Sequence, residues 1–146
     1  MGRRPEADAE EPVLILVDSS VWIDYLNARR GLAGDELDRL IQEGAPLVLT
    51  GLVVTEVLQG LRRDHLSVAR GLALWPLIEP EGFALYVGAA GLYRAARQRG
   101  ITLSTVDVVL AALAIEHDAD LFTTDSDFEG LRFAGLKLWP FREGAE

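Results

Sequence analysis

Short apolar runs alternate along this chain with longer stretches of helical periodicity, and an acid stands at most corners where a run gives way to a helix. Five runs read as strands, at residues 13–17, 46–50, 77–78, 121–124 and 136–139, the third being weak. Helices are expected over residues 21–27, 34–43, 53–63, 65–73, 82–99 and 104–117. The run at 13–17 is apolar throughout, as in a strand buried on both faces. Strands separated by helices require crossovers and so a parallel sheet, which places the chain in the α/β class. Local chemistry marks the boundaries. Ser19 and Ser20 can cap the first helix, Gly100 can end the long one, and Ser104 can open the last. Residues 1–12 have the composition of a mobile tail, which leaves 13–146 as one domain.

Composition removes several classes. A hydrophobic content of 49% and a mean hydropathy of +0.16 exclude disorder. No apolar run approaches the ~18 residues of a membrane helix. Arg3 and Arg4 are followed by acids rather than an apolar region, unlike a signal peptide. There is no cysteine, so thiolate metal sites, disulfides and thiol nucleophiles are absent. A cytoplasmic protein without a membrane partner is the simplest expectation. The net charge of −9 argues by itself against a nucleic-acid binder. Acids gathered around a metal would inflate that count, however, and the bound cation would partly reverse the local field. Lys137 is the only lysine among the 14 basic residues, and arginine suits phosphate and carboxylate alike. Charge leaves the partner open.

The acids carry most of the information. In an open parallel sheet, ligands bind beyond the C-terminal ends of the strands, where strand order reverses. Asp18 ends the first run and Asp125 ends the run at 121–124, while Glu56 and Asp107 stand near the starts of helices. Each has a structural alternative. Asp18 could be a polar turn residue. Glu56 shares a helix side with Gln59, Gly60 and Arg63, as a solvated glutamate would. Asp107 completes a capping box with Ser104 and sits well for the helix dipole. Asp125 and Asp127 could form an acidic helix N-terminus. The coincidence outweighs these alternatives. Every strand-to-helix corner except the one after the weak third strand, with its Pro80-Glu81 turn, offers an acid to the same rim. Converging acids repel one another, and a divalent metal is the obvious counter-charge.

Other chemistries fit poorly. His65 and His117 are the only imidazoles, and neither lies near an acid-bearing corner. Phosphate-binding and dinucleotide-binding glycine loops are absent. A phosphatase with an aspartyl nucleophile would want an acid where Ser20 stands. An aspartate phosphoacceptor signalling domain would want an acid at Val17, although Lys137 is roughly placed for its lysine.

Four segments together resemble a PIN domain. They are Val17-Asp18-Ser19-Ser20-Val21-Trp22-Ile23, Thr55-Glu56-Val57-Leu58-Gln59-Gly60, Asp107 opening an Ala-rich helix, and Thr123-Thr124-Asp125-Ser126-Asp127-Phe128. The likeness is greatest to the VapC-type toxins of bacterial toxin–antitoxin pairs and spans Val13 to about Phe141 in family order. It implies a three-layer α/β fold with a five-stranded parallel sheet ordered 3-2-1-4-5 and helices on both faces. It also implies an endoribonuclease that depends on one or two Mg²⁺ or Mn²⁺ ions and hydrolyses RNA with metal-activated water. A homodimer is implied too, silenced by a cognate antitoxin that inserts an arginine into the acidic site. The residues matching the family's catalytic and metal-binding quartet are Asp18, Glu56, Asp107 and Asp125, with Asp127 a looser fifth. Ser20 and Thr123 match supporting polar positions, and the acidic tail at 1–12 departs from the family pattern. Contacts to the RNA backbone could come from Arg62, Arg63, Arg94, Arg97 or Arg99, each of which could equally be a solvated helix residue. Two further readings are a catalytically silent PIN-like binding partner, against which the intact quartet speaks, and the phosphoacceptor domain.

Overall fold

The structure, a computed structural model, describes residues 12–141. The expected tail at 1–12 lies, Pro12 apart, outside the described residues. Chain order is β1 (Ile15–Val17), α1 (Ser19–Leu26), α2 (Leu32–Gln42), β2 (Leu47–Val48), α3 (Gly51–Gln59), α4 (His65–Leu72), α5 (Phe83–Gln98), α6 (Thr105–Glu116), β3 (Asp120–Phe122), a 3₁₀ segment (Ser126–Ala134) and β4 (Lys137–Leu138).

The strands form one parallel sheet ordered β2-β1-β3-β4, with Leu16 opposite both Val48 and Leu121. Four strands form where five were expected. The weak third strand is reduced to one parallel bridge between Leu49 and Leu77. There the Leu49 N–H donates to the Pro76 carbonyl (2.9 Å), and the Ile78 N–H donates to the Leu49 carbonyl (2.8 Å). Pro76 and Pro80 bracket this segment and lack the N–H a longer ladder needs, and Leu77 is half exposed, so burial does not extend the pairing either. The bridge still lies beside β2, where the third strand of a 3-2-1-4-5 order belongs.

All three β1 residues are buried, because helices cover both faces of the sheet. Leu16, Val17, Leu121 and Phe122 pack with Val21, Leu37, Val53, Leu110 and Leu113 in a single core. Helix α5 ends where Gly100 was expected to end it. Gly100 has φ +83°, its N–H donates to Arg97 O (2.9 Å), and the Ile101 N–H donates to Ala96 O (2.9 Å). This double closure requires a left-handed residue at the first position past the cap, which glycine adopts without strain. Between α1 and α2, the Asp24 carboxylate accepts from the Gly31 N–H (3.0 Å) and the Gly34 N–H (2.7 Å). A Cβ at Gly34 would lie 3.0 Å from the Asp24 backbone, so the close approach needs glycine there. No described helix is long and apolar enough to cross a membrane.

Candidate active site

Strand order reverses between β1 and β3, and the chain leaves both strands there toward the same rim. Asp18 follows β1 directly, and its N–H extends the ladder by donating to Phe122 O (2.8 Å). The residue is 7% exposed. Oδ2 accepts from Ser20 Oγ (2.8 Å) and from Thr123 Oγ1 (2.8 Å), which reaches across from the end of β3. The two hydroxyls act in turn as acceptors, Ser20 Oγ from the Thr124 N–H (3.2 Å) and Thr123 Oγ1 from the Asp125 N–H (3.0 Å). Ser19 Oγ donates to Glu56 Oε1 on α3 (2.8 Å).

These contacts correct one expectation. Ser19 and Ser20 do not cap α1: Asp18 holds the cap position, and neither serine hydroxyl caps the helix. A hydroxyl that can reach a carboxylate makes a charge-assisted bond roughly twice as strong as a neutral one, and both serines take that option.

The other acids keep local duties. Asp107 forms the full capping box of α6, accepting from the Ser104 N–H at Oδ2 (3.1 Å) while its own N–H donates to Ser104 Oγ (3.0 Å). It is nevertheless close enough to Asp18 for its charge to be felt there. The Asp125 carboxylate caps the 3₁₀ segment by accepting from the Asp127 N–H (2.9 Å). Asp127 is exposed, and its carboxylate has no hydrogen bond among the described residues. Thus Glu56 and Asp125 connect to Asp18 through one hydroxyl-bearing residue each, and Asp107 through its field.

Burial pushes the Asp18 carboxyl above its ordinary pKa. The Thr123 and Ser20 hydroxyls and the Ser19 N–H oppose the shift, and the charge of Asp107 reinforces it. Among the described residues, none of Asp18, Glu56, Asp107 or Asp125 pairs with an arginine or lysine. A buried carboxylate without a cation is costly, and the all-oxygen donor set suits a hard divalent ion such as Mg²⁺ or Mn²⁺. The donors therefore fit such an ion, but they do not form a ready cage. No three potential ligands among the described residues stand close enough together to hold one. Glu56, Asp107 and Asp125 each make hydrogen bonds to separate partners instead.

The five arginines do not contact these acids. Arg62 and Arg63 are exposed in the turn between α3 and α4. Arg94 is exposed on α5 beside Tyr93 and Thr105. Arg97 donates to Tyr93 Oη (3.2 Å), and the Arg99 guanidinium lies 3.8 Å from the Phe133 ring centre. Lys137 is not placed for a phosphoacceptor site. It starts β4 opposite Asp120 and pairs with Asp118, at the N-terminal edge of the sheet. The corner after the third strand does supply an acid, which sequence reasoning missed. Glu79 accepts from Thr50 Oγ1 (3.2 Å) and from the Gly51 N–H (3.3 Å) at the start of α3. Its position just before Pro80 was the available signal.

The PIN domain family profile matches residues 15–134. Ribonuclease VapC11 of Mycobacterium tuberculosis is 34% identical over 134 residues, covering 88% of this chain and 100% of the relative. Two solved structures share the fold. VapBC2 from Rickettsia felis, bound to a DNA fragment from its promoter, aligns with a TM-score of 0.67 at 19% identity, covering 87% of this chain and 98% of that one. VapC20 of Mycobacterium tuberculosis, described as a sarcin-ricin loop cleaving toxin, aligns with a TM-score of 0.62 at 22% identity, covering 84% and 95%. With the profile spanning most of its length and a relative matched end to end, the chain belongs to the PIN domain family.

Proposed function

We propose that this protein is a divalent-metal-dependent endoribonuclease that acts as the toxin of a toxin–antitoxin pair. The observation that carries the reading is Asp18, a buried carboxylate at the strand-order reversal with no cationic partner among the described residues, linked through Ser19, Thr123 and the charge of Asp107 to three further acids. The ribonuclease names of the relatives support the reaction class. Asp18, Glu56, Asp107 and Asp125 would hold one or two Mg²⁺ or Mn²⁺ ions, Asp127 being the weakest candidate. Such an ion supplies an acidified water and stabilises charge on the phosphate. Ser20 and Thr123 hold Oδ2 of Asp18, and Ser19 holds Glu56, so the protein itself orients both carboxylates. Arg62, Arg63 and Arg94, with Arg97 and Arg99 less free to move, are candidates for the RNA backbone. Purified protein should cleave RNA in Mg²⁺ or Mn²⁺, stop in excess EDTA, and leave 5′-phosphate and 3′-hydroxyl ends. Full activity in chelator, or a 2′,3′-cyclic phosphate, would overturn the metal-water route.

The two duties of Asp107 can be separated. Ser104→Ala should cost a few tenths to ~1 kcal/mol of stability by removing the cap, yet keep cleavage. Asp107→Asn should cost about as much and lose cleavage. Denaturant unfolding and an RNA assay on both variants check this, and equal activities would remove Asp107 from the site.

Two partners complete the reading. A small antitoxin would place an arginine among the acids, because a guanidinium can act as the missing counter-charge. Changing its pocket-facing arginines to alanine should weaken binding at least ~10-fold, and an unchanged affinity would rule out the plug. A second copy would cover α5, where Phe83 (84%), Tyr86 (49%) and Val87 (54%) are exposed on one side. The neighbouring α6 is apolar almost all round, which calls for cover on every side, and its Val109 and Ala112 are only half-buried. Val87→Glu should turn a dimer into a monomer in sedimentation, and an unchanged mass would place the interface elsewhere.

A further inference from the structure

The corner that carries Thr123 and Asp125 also lines a cleft of about 480 Å³ between the 3₁₀ segment and the stretch after β4. Two aromatic residues, Trp139 and Phe141, line it, and both are fixed from behind. The Trp139 indole N–H donates to Glu36 Oε2 (3.0 Å), a carboxylate that Arg39 also grips at both oxygens (2.9 and 2.7 Å). The Phe141 ring packs against buried Phe122, with centres 5.4 Å apart and planes tilted by 56°. Thr124 and Ser126, both exposed, contribute side-chain hydroxyls that have no hydrogen-bond partner among the described residues.

The charges of the described lining residues do not favour phosphate as the occupant. Arg132, the one cation among the described lining residues, is paired with Glu129 (2.7 Å), and Asp125 adds a negative charge. Aromatic walls held from behind, hydroxyls able to donate or accept, and no unpaired cation among the described lining residues suit a flat, uncharged, hydrogen-bonding ring. Proteins hold unpaired bases in this way, by stacking on aromatic side chains and bonding to their edges. The volume falls in the usual range of ligand pockets. Thr123 bonds Asp18 directly while also lining the cleft, so the cleft and the Asp18 site share a residue.

We propose that this cleft is a nucleobase subsite, which takes one unstacked base of the RNA beside the phosphate at Asp18, between Trp139 and Phe141, with Thr124 and Ser126 bonding its edge. The proposal rests on the ribonuclease reading and narrows it: the RNA is unpaired at that nucleotide, as in a loop or single strand.

Two measurements test it, one of them independent of cleavage. Titrating ribonucleosides into the full chain in EDTA should give saturable NMR shifts at the Thr124 and Ser126 amides and the Trp139 indole N–H, and Trp139→Leu should abolish the shifts at the two amides. No saturable shift with any nucleoside overturns the subsite, whatever the chain does to RNA. In the second measurement, an abasic nucleotide is moved along a cleavable RNA. At one position it should lower kcat/KM about 10-fold. Trp139→Leu should show a similar loss on intact RNA and little further loss on that abasic RNA. Losses that multiply, or no sensitive position, overturn the proposal. Should Trp139→Leu fail to fold, Ser126→Ala at the exposed rim should change the base preferred at that position, and an unaltered preference counts against it. Nucleoside shifts from a parent that cleaves no RNA would sink the nuclease reading while leaving a base-binding cleft.

Discussion

Asp18→Asn should reduce RNA cleavage at least ~100-fold and at the same time raise the melting temperature of the metal-free protein at neutral pH. The loss follows from removing the central carboxylate of the site. The gain follows from burial, which, helped by the charge of Asp107, holds the Asp18 pKa above its ordinary value. A carboxyl whose pKa is higher in the folded state contributes stability that is fully present below the unfolded pKa and is lost as pH rises through the folded pKa. At neutral pH the ionised group is therefore a burden, which asparagine removes. The difference between variant and parent should shrink as pH falls through the carboxylate range. Mg²⁺ or Mn²⁺ should raise the melting temperature of the parent, since a ligand that binds only the folded state stabilises it, and should help the variant much less. Thermal scans from acid to neutral pH, with and without the ion, read all of this. A variant that melts lower at neutral pH and still cleaves would mean that Asp18 is a structural turn residue.

Phe128→Ala should cost about 3–5 kcal/mol in denaturant unfolding, the usual penalty for emptying a fully buried phenylalanine site. Phe128 is 0% exposed, and its N–H donates to the Asp125 carbonyl (3.3 Å), so the ring anchors the corner that carries Asp125. The same variant should lose cleavage under conditions where most of it remains folded, because the loosened corner also positions Thr123 against Asp18. A cost under ~1 kcal/mol would mean that the corner is held by its hydrogen bonds rather than by the ring.

The features legible in the sequence are those whose causes lie within a few residues. Continuous apolar runs separated by helical periods led to a parallel sheet with Asp18 at the end of its first strand. The Ser104–Asp107 capping box and the glycine closure of α5 formed where their residue types stand, because each bond spans one helical turn. The weak third strand was readable as weak, and the prolines beside it account for its reduction to a bridge.

Partners distant in sequence could only be settled by the folded chain. Ser19 and Ser20 have the chemistry of helix caps, and nothing local says that one will turn to Glu56, 37 residues away, and the other to Asp18. Thr123 reaches Asp18 across 105 residues, and Glu79 reaches Thr50 across 29. These pairings depend on strand register and helix placement, which follow from packing the whole core. So does the spacing of the acids: the sequence alone determined that carboxylates would line one rim of an α/β sheet. Only the tertiary structure decided that Asp18 would be buried and bonded by two hydroxyls, while Asp107 and Asp125 kept caps of their own, because burial and mutual repulsion act through space rather than along the chain.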